Sequence, residues 1–455
     1  MVTDPLRVTL YRAAWVLPVA AAPIRDGVVM VGADGRIAAV GPRAAVEPPE
    51  GAEVVELGTA ALMPGLVNVH AHPELALYRG ALEDLRFRDW ILRLVGSKRA
   101  ALVDADYDVA ARWTVVESLR AGITTMAATE MSAAGFGALL EAGMRGVVYR
   151  EVFGPDPAQV EDSMADLRQA VDALRARATE LVRVGISPHA PYTVSDALFR
   201  AAGEYACAEA LPMAIHAAES QAERDLVERG DGDFAPGLRA RGIDTPVRGR
   251  TTVEMLDRLG VLRARPLLIH CVTLDADDVA RVADTGSAVA HCPVANARLG
   301  HGVAPYVELR DAGVTVGLGT DSVGSNNRLD LLDEARVASI LHRARHASPD
   351  LMPPADLLRL CTLDGARALG LDDRIGTLEP GKDADLCAVS LAQPHAQPVH
   401  SPEAAVFHAA RGSDVVLAAV RGRVLQRGGQ VLTLDPDALA GPLEDAAARL
   451  RAVLA

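Results

Sequence analysis

The chain has no run of basic residues, no C-x-x-C pair and no apolar stretch of the roughly 20 residues a bilayer-spanning helix needs. Each absence removes a class of function. With no basic run and a net charge of −14, the phosphate-neutralising surface of a nucleic-acid-binding protein is missing. The five cysteines (Cys207, Cys271, Cys292, Cys361, Cys387) are odd in number and far apart, so they build neither a disulfide framework nor a cysteine zinc site, and a reducing compartment is expected. Residues 13–24 are apolar, follow Arg7 and Arg12 and end in small side chains, as a signal peptide does. Strand-like sequence, however, begins before them at Val8-Thr9-Leu10 and resumes directly after. The sequence thus predicts a cytoplasmic protein with no nucleic-acid and no membrane partner.

Half of the 455 residues are apolar, enough for a large core and more than one structural unit. Near the N-terminus, residues 28–31 and 36–40 flank Asp34-Gly35, a dipeptide that supplies the positive φ of a tight hairpin. Similar sequence returns at 415–420, 423–425 and 430–432, with Gly428-Gly429 as the turn, so both ends together predict one composite β domain. The last residues, 437–455, have the Ala, Leu, Glu and Arg content of a surface helix. Between the ends, short apolar runs alternate with helical stretches, the pattern of a parallel sheet covered by helices. Eight runs are present: 62–69, 123–128, 146–152, 182–187, 212–216, 266–270, 288–291 and 314–319. They predict an α/β fold of the (β/α)8 barrel type rather than an open sheet. The expected division is 1–61 and 369–434 for the β domain, 62–368 for the barrel and 435–455 for the closing helix.

In a barrel the C-terminal ends of the strands converge, and here they carry His70, His72, His189, His216, His270, His291 and Asp321. His70-Ala71-His72 at the end of an extended run places two imidazoles on one face, where they can share a metal ion. Three imidazoles and a carboxylate suit zinc or another divalent transition ion and leave a position for water. On that ground His70, His72, His216 and Asp321 are the expected ligands. Glu219, three residues beyond His216, can move a proton between bound water and substrate. His342 and His346 stand four apart on a helical stretch, but arginines interleave them and no glutamate completes H-E-x-x-H, so a solvated helix face is expected there.

The ordered motifs P-G-L-V-N-V-H-A-H (64–72), S-P-H-A-P-Y-T (187–193), I-H-A-A-E-S (215–220), I-H-C-V (269–272), H-C-P-V-A-N (291–296), G-L-G-T-D-S (317–322) and P-G-K-D-A-D-L (380–386) resemble the amidohydrolase superfamily, in the branch of deaminases and chlorohydrolases of nitrogen rings. The resemblance spans nearly the whole chain. It implies a distorted metallo-barrel with a small composite β-sandwich, one divalent ion (zinc, with iron as the alternative) and a homodimer. Two-metal relatives bridge their ions with a barrel lysine; the only lysines here, Lys98 and Lys382, are not expected at a bridging position, whereas Glu151 could bridge. One ion is therefore expected.

By the same resemblance, Asp321 is ligand and proton acceptor, His270 hydrogen-bonds the attacking water, and Glu219 protonates the ring nitrogen beside the carbon that loses ammonia. His189 would touch the nucleoside, Trp90 would pack on it, and Glu74 or Arg150 would bind hydroxyls or an anionic tail; His291 would stand behind the ligands. The stretch 70–75 with 152–157 resembles members that deaminate aminodeoxyfutalosine, for menaquinone synthesis. Arg79-Gly80, 83–85 and Trp90 equally resemble those acting on S-adenosylhomocysteine and methylthioadenosine. A purine nucleoside is the expected substrate, aminodeoxyfutalosine first. The alternatives are the sulfur nucleosides, another C–N or C–Cl hydrolysis of a nitrogen heterocycle, and a scaffold that has lost its metal.

Overall fold

A computed structural model describes residues 7–454. All eight apolar runs become strands. β1 (Thr9–Val16), β2 (Ile24–Val31), β3 (Ile37–Pro42), β4 (Glu53–Glu56) and β5 (Ala60–Pro64) precede the barrel. Then come β6 (Leu66–Ala71), β7 (Ile123–Glu130), β8 (Arg145–Val152), β9 (Val182–Pro188), β10 (Ala214–Ala217), β11 (Leu267–His270), β12 (Ala288–His291) and β13 (Val316–Leu318). β6 to β9 pair in parallel, as do β10 to β13. Single parallel bridges, Ile186 with Met213 and Ala71 with Asp321, join the two half-sheets into a closed ring. The segment 13–24 that imitates a signal peptide is the paired β1–β2 hairpin. Among the described residues no helix is long and apolar enough to cross a membrane.

The run 62–69 is divided rather than continuous. Its first part lies in β5, which pairs with β1 and with β14 (Leu386–Ser390), and its second part is β6. The crossing falls at Gly65, where a Cβ would sit 2.0 Å from the Thr124 hydroxyl, so no side chain fits. Beyond β14, β15 (Val415–Val420), β16 (Arg423–Arg427) and β17 (Gln430–Val431) complete a nine-stranded sheet in which strands from both termini are hydrogen-bonded neighbours. The sheet folds over one apolar core that joins Tyr11, Val29 and Ile37 to Leu386, Leu417 and Ala419. The β2–β3 turn touches the β15–β16 turn where Gly35 meets the Arg421 backbone. The Pro436–Leu454 helix packs Ala446 and Leu450 against the neighbourhood of the Phe87–Ala101 and Asp104–Arg120 helices.

Side chains alternate across each barrel strand, and that alternation decides what reaches the interior. Val67 and Val69 of β6, Val147 and Tyr149 of β8, Ala214 of β10, Leu267 and Ile269 of β11 and Ala290 of β12 form one inner cluster. Their neighbours Val148, Val152, Ile215, Leu268 and Val289 pack outward under the helices.

Candidate active site

By strict alternation Glu151, His189 and His216 face inward, whereas Glu130, Arg150 and His291 face the helices. His270 breaks the rule: with Leu267 and Ile269 inward it should point out. It adopts φ +73°, followed by Cys271 at +51°, and this left-handed step turns the imidazole into the barrel. Ala218 (+52°) and Asp321 (+56°) take the same conformation after β10 and β13. Each such residue costs about 1–3 kcal/mol, and here they gather where strands end in functional groups. On β6 an irregular register between Asn68 and Ala71 does similar work, bringing His70 and His72 inward after Val67 and Val69.

Four donor atoms converge. His70 Nε2 is 3.2 Å and His72 Nε2 3.6 Å from Asp321 Oδ1, and His216 Nε2 is 3.3 Å from His72 Nε2. Donors bound at 2.0–2.1 Å around a tetrahedral ion stand about 3.4 Å apart, and these three separations match that spacing. Two of the other ring nitrogens are engaged: His216 Nδ1–H donates to the His189 carbonyl (3.1 Å) and His70 Nδ1 meets Thr129 Oγ1 (3.3 Å). The carbonyl contact fixes the His216 tautomer that leaves its Nε2 free for a metal. Burial pushes His72 down to about 3, reinforced by His70, and likewise lowers His70 and His216. Burial would raise Asp321, but the His70 hydrogen bond and the surrounding imidazoles outweigh it and hold the carboxyl well below its usual range. Neutral imidazoles and an ionised carboxylate are the forms a metal requires. Ser325 Oγ donates to Asp321 Oδ2 at 2.7 Å, leaving Oδ1 toward the histidines.

Glu219, 3 % exposed, lies beside this cluster. Its Oε1 is 3.6 Å from His270 Nε2 and 3.4 Å from His301 Nε2, and Tyr192 donates to Oε2 at 3.4 Å. Burial raises the carboxyl, but His270 and His301 more than compensate and bring it below its ordinary value. His270 is oriented by Asn296, whose Oδ1 lies 2.9 Å from Nδ1. His301 escapes the sequence reading, since R-L-G-H-G ends no strand and carries no ligand spacing. The neighbourhood is aromatic in a chain that is only 4 % aromatic: Phe87 approaches His301 edge-on (4.5 Å), Tyr192 stacks on Phe234 (4.3 Å) and Phe153 stacks on His189 (4.8 Å).

The four residues expected to bind substrate are placed unequally. His189 faces inward with its ring 4.7 Å from that of His216, and Thr193 holds its Nδ1 at 2.8 Å. Trp90 is buried beside Phe87 and donates to the Gly324 carbonyl (3.3 Å). Glu74 is buried and already engaged, by Lys98 Nζ (2.8 Å) and Ser132 Oγ (2.6 Å). Lys98 therefore lies within the Phe87–Ala101 helix and reaches the edge of the site, though not between metal ligands. Arg150 alternates to the helix side, where it donates to the Met131 carbonyl, so the geometry does not bring it to the other three. The inward group on that strand is Glu151, 3.9 Å from His189 Nε2; with His189 and His216 it forms one of three sets of potential ligands, the others being His70, His72 and Asp321 and His70, His216 and His270. The expectation of a solvated face at His342 does not hold. His342 is fully buried, with Nε2 3.3 Å from His291 Nε2, because outward alternation on β12 sends His291 under the Leu331–His346 helix.

A model of the amidohydrolase family matches residues 61–425. A 5-methylthioadenosine/S-adenosylhomocysteine deaminase of Moorella thermoacetica is 34% identical over 94% of this chain and 96% of its own. A 5'-deoxyadenosine deaminase of Methanothermobacter thermautotrophicus is 33% identical over 94% and 95%. Among solved structures, an adenosine deaminase from Xanthomonas campestris with bound zinc superposes with a TM-score of 0.87 at 29% identity, covering 98% of both chains. The Helicobacter pylori aminofutalosine deaminase superposes with a TM-score of 0.78 at 20% identity over 91% of this chain and 99% of that one, a likeness of fold.

Proposed function

This chain belongs to the amidohydrolase family, and from that premise we propose that it hydrolytically deaminates the purine of a 5'-modified adenine nucleoside, with the sulfur nucleosides S-adenosylhomocysteine and methylthioadenosine as its substrates. The observation that supports the chemistry is the pairing of overlapping donor sets, His70 with His72 and Asp321 and His70 with His216 and His270, with a buried carboxylate, Glu219, held beside His270. The likeness to the sulfur-nucleoside deaminases over nearly the full chain supports the choice among substrates; aminodeoxyfutalosine shares the adenine and the 5' substitution and is the first competitor.

We assign the metal to His70, His72, His216 and Asp321. A divalent ion there supplies Lewis acidity and an activated water. The protein supplies the proton traffic. Asp321, an anion in this setting, takes the proton of the attacking water, its carboxylate held by Ser325 at Oδ2. His270, with Nδ1 committed to Asn296, keeps Nε2 toward that same water and orients it toward the purine carbon. Glu219 accepts a proton and delivers it to the adjacent ring nitrogen, which makes the carbon electrophilic. The proton that Asp321 has taken passes to the amino group of the tetrahedral carbon, which leaves as ammonia, and the water's other proton is the one that Glu219 carries to the ring nitrogen. His189, Trp90 and the aromatic side chains around Tyr192 are positioned to enclose the purine, and we assign Glu74, held by Lys98 and Ser132, to the sugar hydroxyls.

Ammonia release and loss of adenine absorbance, measured with metal-loaded protein on methylthioadenosine, S-adenosylhomocysteine, aminodeoxyfutalosine and adenosine, test the reading. The expected result is the highest kcat/KM on one of the two sulfur nucleosides. A clear preference for aminodeoxyfutalosine would reassign the substrate, and silence on all four would overturn the deaminase reading. Glu219→Gln is expected to fold and bind metal while losing at least about a hundredfold in kcat; near-normal turnover would remove Glu219 from the proton path.

A further inference from the structure

Two imidazoles, not one, face the Glu219 carboxylate, and one short segment places both. Residues 292–302 leave β12 through the Pro293–Arg298 helix. Within it the Asn296 side chain meets His270 Nδ1 at 2.9 Å, and the Asn296 carbonyl accepts the His301 backbone N–H, also at 2.9 Å. Gly300 (φ +72°) and Gly302 (φ +109°) flank His301 in conformations that residues with a side chain rarely adopt, and they turn the chain back toward the barrel. The result is a side chain only 4 % exposed, with Nε2 3.4 Å from Glu219 Oε1 but not aligned for a hydrogen bond, so that this buried nitrogen has no hydrogen-bond partner among the described residues and Glu219 is the acceptor beside it. The opposite side of the ring meets Phe87, at the start of the Phe87–Ala101 helix that covers the site.

From this geometry we propose that His301 is a positioning residue for the proton-transferring carboxylate: its Nε2–H donates to Glu219 Oε1 and holds the carboxylate between His270 and the incoming ring nitrogen. The inference rests on the proposed function, since it presumes that Glu219 moves the proton. A buried ring nitrogen left 3.4 Å from its partner closes the gap at little cost when substrate presses on Phe87, because catalytic hydrogen bonds tighten in the bound complex. Loss of Glu219's fixed orientation would slow the proton step without removing a contact to the nucleoside. The lowering of the Glu219 carboxyl by His301 is consistent with the same contact.

The test compares His301→Ala with His301→Gln, whose side-chain amide can place an N–H donor near the same point, in the full-length metal-loaded protein. Removal of a hydrogen bond to a charged group predicts a fall in kcat of about ten- to a hundredfold for His301→Ala, with KM and metal content unchanged and most of the rate recovered in His301→Gln. Equal losses in both variants, or a change in KM alone, would overturn the proposal. Crystal structures of metal-loaded wild type and His301→Ala provide a readout that needs no substrate: the Glu219 carboxylate is expected to leave its place in the variant, and an unmoved carboxylate would count against His301. A wild type that releases no ammonia from any adenine nucleoside would remove the underlying reading, and the crystal comparison would still decide whether His301 holds Glu219.

Discussion

Glu151 ends β8 facing the histidines, and burial, aided by the nearby Glu74 charge, pushes its carboxyl up to about 8. Its ordinary value is 4.5, so between pH 4.5 and 8 the folded protein keeps a proton that the unfolded chain releases. The stability this proton contributes is fully present below the unfolded value and is lost as pH rises through the folded one. Glu151→Gln has nearly the same shape and no charge to bury. It is therefore expected to gain on the wild type as pH rises from about 6 to about 9, read as a widening difference in Tm; a constant difference would mean that Glu151 is already ionised in the fold. Residue identity made the proposed ligand histidines visible in the sequence because each ends an apolar run, and Glu219 because it follows one of them by three residues. Strand alternation, which separates Glu151 from Arg150 and His216 from His291, can also be counted in sequence. The left-handed turn that carries His270 inward cannot, and neither can the fold-back of His301, whose partner lies 82 positions earlier.

At the scale of the strand, the site is a junction of three elements that share no continuous sequence. His70 and His72 end β6, His216 lies in β10, and Asp321 follows β13. The eight strands were legible from apolar runs and their spacing, while the closing of two half-sheets by single bridges was not, because it depends on strand tilt around the ring. Ala71, between the two histidines assigned to the metal, bridges to Asp321 itself, so the seam between the first and last barrel strands runs through the proposed metal cluster. An ion binding there ties those strands together in the native state only, and at a thousandfold excess over Kd it stabilises by about 4 kcal/mol. With an unfolding entropy of roughly 2 cal/mol/K per residue, chelation is expected to lower Tm by about 4 °C. His216→Ala should abolish that response while leaving the far-UV spectrum unchanged. Thermal scans with and without chelator check this, and an indifferent wild type would refute a tightly held ion at the seam.

Across the whole molecule, the barrel and the terminal sheet are clasped at the end of the barrel remote from the chemistry. Arg145, the first residue of β8, is fully buried and donates to Asp385 Oδ2 (2.7 Å) and Asp383 Oδ2 (2.8 Å) just before β14. Arg374 also pairs with Asp383 (2.8 Å), and Asp385 accepts the Arg421 backbone N–H (2.8 Å). The two carboxylates belong to P-G-K-D-A-D-L, a motif that the sequence displays without revealing its role, because the arginine that explains it lies 240 positions away. Arg145→Met keeps the packing of the side-chain stem but strands buried negative charge, and breaking such a pair costs about 3–5 kcal/mol. Denaturant unfolding is expected to show that loss. Metal content and kcat of the folded variant should stay near wild type, because the ligands and Glu219 sit at the opposite ends of the strands. A loss below about 1 kcal/mol would mean that the two units are joined by apolar contact alone, and a fall in kcat with stability intact would show that the clasp is felt through the length of the barrel.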